Sequence, residues 1–126
     1  MDISFTDREL DVMAVLWQKG SGTVAEVRDA LDDSFAYTTV LTVLRTLEEK
    51  GFVTHLAEGK AHRYLPAVTP GMAGKSALSR VLDKIFSGSP EMLLTQLVSD
   101  RELSETEIRR LRKLLDERLA KSKGER

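Results

Sequence analysis

The stretch Ala36–Pro66, AYTTVLTVLRTLEEKGFVTHLAEGKAHRYLP, decides the fold. It reads as a helix, a stop at Gly51, a strand, a Glu58-Gly59-Lys60 turn and a returning strand. At about 100° per residue, Tyr37, Val40, Val43, Leu44 and Leu47 gather on one side of the helix. Thr38, Thr42, Arg45 and Glu49 form the opposite side, with Thr39 and Thr46 on its flanks. Threonine costs up to about 0.7 kcal/mol against alanine in a helix interior, so a plain solvated face would carry Lys, Glu or Gln. A helix cap accounts for Thr38 or Thr39, but not for Thr42 or Thr46. A polar face of this kind, followed by a basic hairpin, is the plan of a winged helix-turn-helix that reads DNA.

Two further helices precede it. Thr6-Asp7-Arg8-Glu9 is a capping box, with Phe5 and Leu10 placed as a hydrophobic staple. That helix runs through Leu10, Met13, Ala14 and Trp17 to a stop at Gly20, with Val12, Val15 and Leu16 on its other sides. Thr23-Val24-Ala25-Glu26 opens a second, short helix that turns Val27, Ala30 and Leu31 to the core. Three helices and a hairpin in about seventy residues give the winged helix-turn-helix, with the third helix as the reader.

In the hairpin, Phe52–Leu56 alternates as a strand, and Lys60, His62 and Arg63 fall at or near the tip, where a wing meets phosphates. The competing reading is a solvated turn, where lysine and glycine are ordinary. His55 and His62 could suggest a metal pair, but no cysteine or organised carboxylate shell accompanies them, so no metal and no cofactor is expected. Tyr64 is expected to pack against the domain.

After Pro66, Ala67–Lys75 reads as a linker or loose helix start. Apolar residues then recur at helical spacing in three segments: Leu78, Val81, Leu82, Ile85 and Phe86; Leu93, Leu94, Leu97 and Val98; and Ile108, Leu111 and Leu115. Ser89-Pro90 starts the second of these helices and the capping box Ser104–Glu107 the third. Three short helices this rich in leucine cannot bury themselves well alone, which points to a helical dimerisation region at 69–126 beside a DNA-binding domain at 1–68. The competing expectation is that they fold back on the N-terminal domain.

ELDVMAVLW (Glu9–Trp17), TVAEV (Thr23–Val27), the Ala36–Gly51 helix, GKAHRYLP (Gly59–Pro66) and ELSETEIRRLRKLL (Glu102–Leu115) together resemble the penicillinase-repressor family of bacterial regulators, the BlaI/MecI/CopY group. The resemblance covers most of the chain in order and spacing. It implies a homodimeric repressor on dyad-symmetric operator DNA, with the C-terminal helices forming the dimer. Antibiotic-responsive members are relieved by proteolysis through a membrane sensor protease, and the corresponding bond here falls near Gln96–Leu97. Copper-responsive members carry C-terminal cysteine pairs; this chain has no cysteine, which argues against copper sensing of that kind.

Charge is permissive. The whole chain carries −1, but residues 1–35 carry −5 and residues 36–68 carry +1, so the proposed reader is the less acidic part of its domain. The longest apolar run, Val12–Trp17, is far short of the roughly 20 residues that span a bilayer. The opening MDISFTDRE lacks the regions of a signal peptide, so a soluble cytoplasmic protein is expected. No phosphate loop, nucleophile elbow or cysteine nucleophile is present, and no enzyme is expected. The expectation is a dimeric winged-helix repressor whose Thr38, Thr39, Thr42, Arg45 and Thr46 enter the major groove while Lys60, His62 and Arg63 hold phosphates. The alternative is a helical protein–protein module without DNA binding.

Overall fold

A computed structural model describes residues 2–124. Packing divides the chain into one unit ending at Arg80 and another beginning at Val81. In the first, helix α1 (Asp7–Lys19) opens on the expected box: Thr6 Oγ1 accepts from the Glu9 N–H at 3.2 Å, and Glu9 Oε1 from the Thr6 N–H at 2.8 Å. It ends at Gly20, whose φ of 86° suits glycine.

The inward stripe of α1 differs from the expected one. Glu9, Val12, Met13, Val15 and Leu16 are buried, whereas Leu10 and Ala14 face outward and Trp17 is half-buried. Glu9, Val12, Met13 and Leu16 are helical neighbours on one face, so the stripe begins at a carboxylate. Lys50 makes that burial tolerable, its Nζ donating to both Glu9 oxygens at 2.8 and 3.0 Å.

This pair makes stability depend on pH. Burial alone would raise the Glu9 pKa, but hydrogen bonds from Lys50 and Thr6 outweigh it and hold the carboxyl below its ordinary 4.5. The pair's contribution is therefore fully present above 4.5 and lost as pH falls through the folded value. Lys50→Met should cost on the order of 2 kcal/mol at neutral pH. That is less than for a deeply buried pair, because the Lys50 side chain is 40% exposed and its removal lets water reach Glu9. In the variant only the Thr6 hydrogen bonds oppose burial, so the carboxyl's pKa lies higher than in the parent and the deficit should narrow on acidification. Urea melts across the acid range check this; a deficit that stays constant or widens contradicts it.

Helix α2 (Val24–Ala30) buries Val24 and Val27 and leaves Ala30, expected inside, exposed. Helix α3 (Tyr37–Glu49) buries Val40, Leu44 and Leu47, with Val43 half-buried. Tyr37, also expected inside, is 51% exposed. It is the first helical residue, and side chains tilt towards a helix's N-terminus, so its ring passes beyond the edge of the core. Strands β2 (Val53–Glu58) and β3 (Ala61–Pro66) form the expected hairpin, in register from Val53–Pro66 to Glu58–Ala61. Gly59, φ 59°, is the first of the two turn residues, the place where such tight hairpins need glycine. The sheet has a third strand, β1 (Gly22–Thr23), which pairs antiparallel with β3 and gives the order β1-β3-β2. Two residues are too few to show alternation, which is why the sequence does not reveal it.

Helix α4 (Pro70–Lys84) begins well before Leu78, the first residue of the stripe that marks it, because Thr69 caps it by accepting from the Met72 N–H at 3.1 Å. The segment read as a linker is thus partly helix, and it packs on the first unit. Ala73 is buried, Ser76 Oγ donates to the Ile3 carbonyl at 3.0 Å, and Trp17 Nε1 donates to the Val68 carbonyl at 2.8 Å. The first unit consequently extends past the 68/69 boundary read from the sequence, to Arg80.

The second unit holds α5 (Pro90–Asp100) and α6 (Glu105–Gly124), with the expected Ser89 cap and Ser104–Glu107 capping box in place. Neither helix buries a residue. Leu82, Phe86, Leu93 and Leu111 are half-buried, while Ile85 is 67% exposed and Leu94, Leu97, Val98, Ile108 and Leu115 are also exposed. Among the described residues no helix is long and apolar enough to cross a membrane.

Candidate nucleic-acid interface

The outer face of α3 stands as the sequence implies: Thr38, Thr42 and Arg45 are exposed, and Thr39 and Thr46 are half-buried at its margins. None of the threonines caps the helix, since the cap position is Ala36, without a side-chain hydrogen bond. Thr42 Oγ1 instead donates to the Thr38 carbonyl at 2.9 Å, and Thr46 Oγ1 to the Thr42 carbonyl at 3.0 Å. With each hydroxyl turned onto the helix backbone, its donor is used. What these two residues offer outward is a methyl group and oxygen lone pairs.

The hairpin and α3 meet along a groove of about 260 Å³. Tyr37 and Arg45 line it from α3, Lys60 and His62 from the wing, and Thr23–Ala25 from the start of α2. Tyr64, 2% exposed, forms the floor, and burial chiefly pushes its hydroxyl pKa up. The fold therefore brings Arg45, Lys60 and His62 into one concavity, from sites well separated in sequence. Tyr37 belongs to this surface and was missed, because an aromatic at helical spacing reads as core.

The wing is tied to its surroundings by two polar clusters. His62 stacks on His55 with ring centroids 4.2 Å apart and planes 10° from parallel. His55 Nδ1 lies 2.6 and 2.8 Å from the Glu48 carboxylate oxygens on α3. The two histidines are thus a packed bridge between wing and reading helix. Among the described residues no group of three or more His, Asp or Glu is placed to hold a metal.

Arg63 makes the second cluster. Its Nε and Nη2 donate to Glu58 at 2.9 Å each, Nη2 and Nη1 donate to Glu26 at 2.8 and 3.1 Å, and Nη1 donates to Ser21 Oγ at 3.2 Å. A guanidinium has five N–H donors, and here all five have an acceptor. Glu58 and Glu26 together push the Arg63 pKa up, and Arg63 in turn holds both carboxylates below their ordinary range. Read from sequence as a phosphate ligand, Arg63 sits in the structure as a brace from β3 to the wing turn and to α2.

These ion pairs decide the local field. Glu26 and Glu58 are paired with Arg63 and Glu48 is hydrogen-bonded to His55, whereas Arg45 and Lys60 form no ion pair among the described residues. The lining of the groove thus holds Arg45 and Lys60 and no carboxylate.

The penicillinase repressor family profile matches residues 5–117. The chain belongs to that family. The penicillinase repressor of Bacillus licheniformis is 27% identical over 114 residues, covering 89% of each chain. The transcriptional regulator BlaI of Mycobacterium tuberculosis is 43% identical over 63 residues, 48% of this chain and 46% of its own. The solution structure of the DNA-binding domain of the repressor BlaI aligns with a TM-score of 0.50 at 30% identity, covering 56% of this chain and 88% of that one. A mutant MarR from E. coli, at 20% identity and TM-score 0.52 over 92% of this chain and 79% of its own, shares the fold. As a penicillinase repressor family member, the chain is a winged-helix, DNA-binding repressor of transcription.

Proposed function

We propose that the protein acts as a homodimer on inverted-repeat operator DNA, with α3 in the major groove, the wing tip on phosphates and the C-terminal helices joining the two copies. The observation that carries this reading is the groove in which Arg45, Lys60 and His62 converge beside the exposed threonine face. Thr38, Thr39, Thr42, Arg45 and Thr46 supply base contacts; Lys60 and His62 supply phosphate contacts. Arg63 acts on DNA through position, by fixing the wing against α2. The division between reading and pairing falls at Arg80, and the apolar stripes beyond it face a second copy.

The reading includes relief by a cut near Gln96–Leu97, made by a membrane sensor protease. That bond lies inside α5, where Gln96 also hydrogen-bonds Asp100 one turn on. Proteases take extended chain, so a cut there requires α5 to open first. A helix without a single buried residue is suited to such opening.

Retention on duplex DNA that falls steeply with added salt tests the whole reading against a protein–protein module, which would show neither. Two wing variants test the assignment within it. Lys60→Ala should weaken binding to all sequences alike and reduce the salt slope by about 0.9 for each phosphate that the side chain neutralises. Arg63→Ala should lower the thermal midpoint and loosen binding without changing the slope, since its donors are spent inside the protein. A slope reduced by Arg63→Ala with stability intact would restore it as a phosphate ligand.

A further inference from the structure

Away from α3 and the wing, the first unit carries an apolar pocket of about 230 Å³ between the N-terminal segment, α1 and the first turns of α4. Phe5, Leu10 and Trp17 form one wall and Ala73, Gly74 and Ala77 the other, with Arg80 at the rim. Leu10 is 41% exposed here. The space exists because the facing residues of α4 are small: a Cβ added at Gly74 would meet nothing within 4 Å. The Trp17 indole N–H is already satisfied by the Val68 carbonyl, so the wall offers no free donor.

Arg80 gives the pocket its polarity. Its Nη1 is anchored on the Ile3 carbonyl at 2.9 Å and Ser76 Oγ at 3.1 Å, with Asp2 Oδ1 more distant at 3.5 Å. Nε and Nη2 make no hydrogen bond among the described residues, and the side chain, 37% exposed, lines the rim of an apolar cavity. A guanidinium edge matches a carboxylate in two parallel hydrogen bonds.

We propose that this pocket binds a small amphipathic organic acid, its ring or short apolar body against Leu10 and Trp17 and its carboxylate on Arg80. The volume is below the roughly 300–1,000 Å³ of drug-sized sites, so the ligand has on the order of ten to fifteen heavy atoms. The site is separate from the DNA-reading groove, and its test does not depend on DNA binding.

Trp17 is the chain's single tryptophan and lines the pocket, so its emission reports occupancy directly. The full chain is titrated with 3-phenylpropionate and with 3-phenylpropionamide, which has the same size and no charge. The acid should shift Trp17 emission saturably at millimolar concentration, and the amide should bind at least about tenfold more weakly. Gly74→Phe, which fills the pocket at an open position, should abolish the response with the thermal midpoint unchanged. Arg80→Gln should bring the acid to the level of the amide. No saturable shift, equal affinity for acid and amide, or a response that survives Gly74→Phe would overturn the proposal. Emission that follows protein concentration and ignores the acid would assign the pocket to a second copy and overturn it too.

Discussion

Arg45→Ala is expected to weaken operator binding by about 1–3 kcal/mol, the discrimination of one good side-chain–base pair, with little change in folding stability. Arg45 is exposed on α3, forms no ion pair among the described residues and shares a groove with Lys60 and His62, so its removal breaks no interaction that holds the fold. The loss should be confined to the preferred operator: a scrambled duplex should bind parent and variant nearly alike. Equal loss on both duplexes would make Arg45 a phosphate ligand, and no loss on either would remove α3 as the reader. The adjacent threonine sharpens the test. Because the Thr42 hydroxyl donates to the Thr38 carbonyl, its proton is spent, and the methyl remains for apolar contact with a base. Thr42→Val should retain operator affinity that Thr42→Ala loses, whereas a hydroxyl that donates to a base would make both variants fail.

The outward face of α3 was legible because it depends on local periodicity. Angular spacing within one helix placed Thr38, Thr42 and Arg45 outside and Val40, Leu44 and Leu47 inside, and the structure agrees. What sequence could not show are pairings across long separations. Glu9 counts as solvated on any helical wheel until Lys50, 41 residues away, is found against it. Arg63 looks like a wing cation until Glu26, 37 residues back, takes two of its donors. The two-residue strand β1 exists only because β3 offers it an edge. Helix α4 is missed at its start for a related reason: its first turns are small residues whose signal is a cap at Thr69 and burial at Ala73, neither of which is a hydrophobic stripe. In each case the residue type was read correctly and its partner was out of view. The wing illustrates this, since Lys60 and Arg63 look equivalent in sequence while Arg63 is paired with Glu26 and Glu58 and Lys60 forms no ion pair among the described residues.

A cut between Gln96 and Leu97 is expected to abolish tight operator binding while leaving the reading unit folded. The first unit is complete by Arg80, with its core, its α4 anchor at Ile3 and its Arg63 brace all upstream of the cut. What the cut removes is the end of α5 and all of α6, including the exposed Leu97, Val98, Ile108 and Leu115 that the proposed pairing would bury. One α3 reaches only a few base pairs, and a chain of net charge −1 has a weak non-specific field to supplement it. Joining two reading units makes the second binding event intramolecular, which can raise overall affinity by about 10²–10⁴ with the same set of side chains on DNA. The intact protein should therefore protect an inverted repeat whose half-sites lie about 34–36 Å apart, one helical turn, or a multiple of that. The cut protein and the fragment 1–80 should both sediment as monomers, retain the thermal transition of the reading unit and bind the same duplex about 10²-fold or more weakly. Footprinting and titration of all three at one salt concentration decide the matter. Equal affinity before and after the cut, or protection of a single unrepeated half-site by the intact protein, would separate recognition from pairing and remove cleavage as a route to derepression.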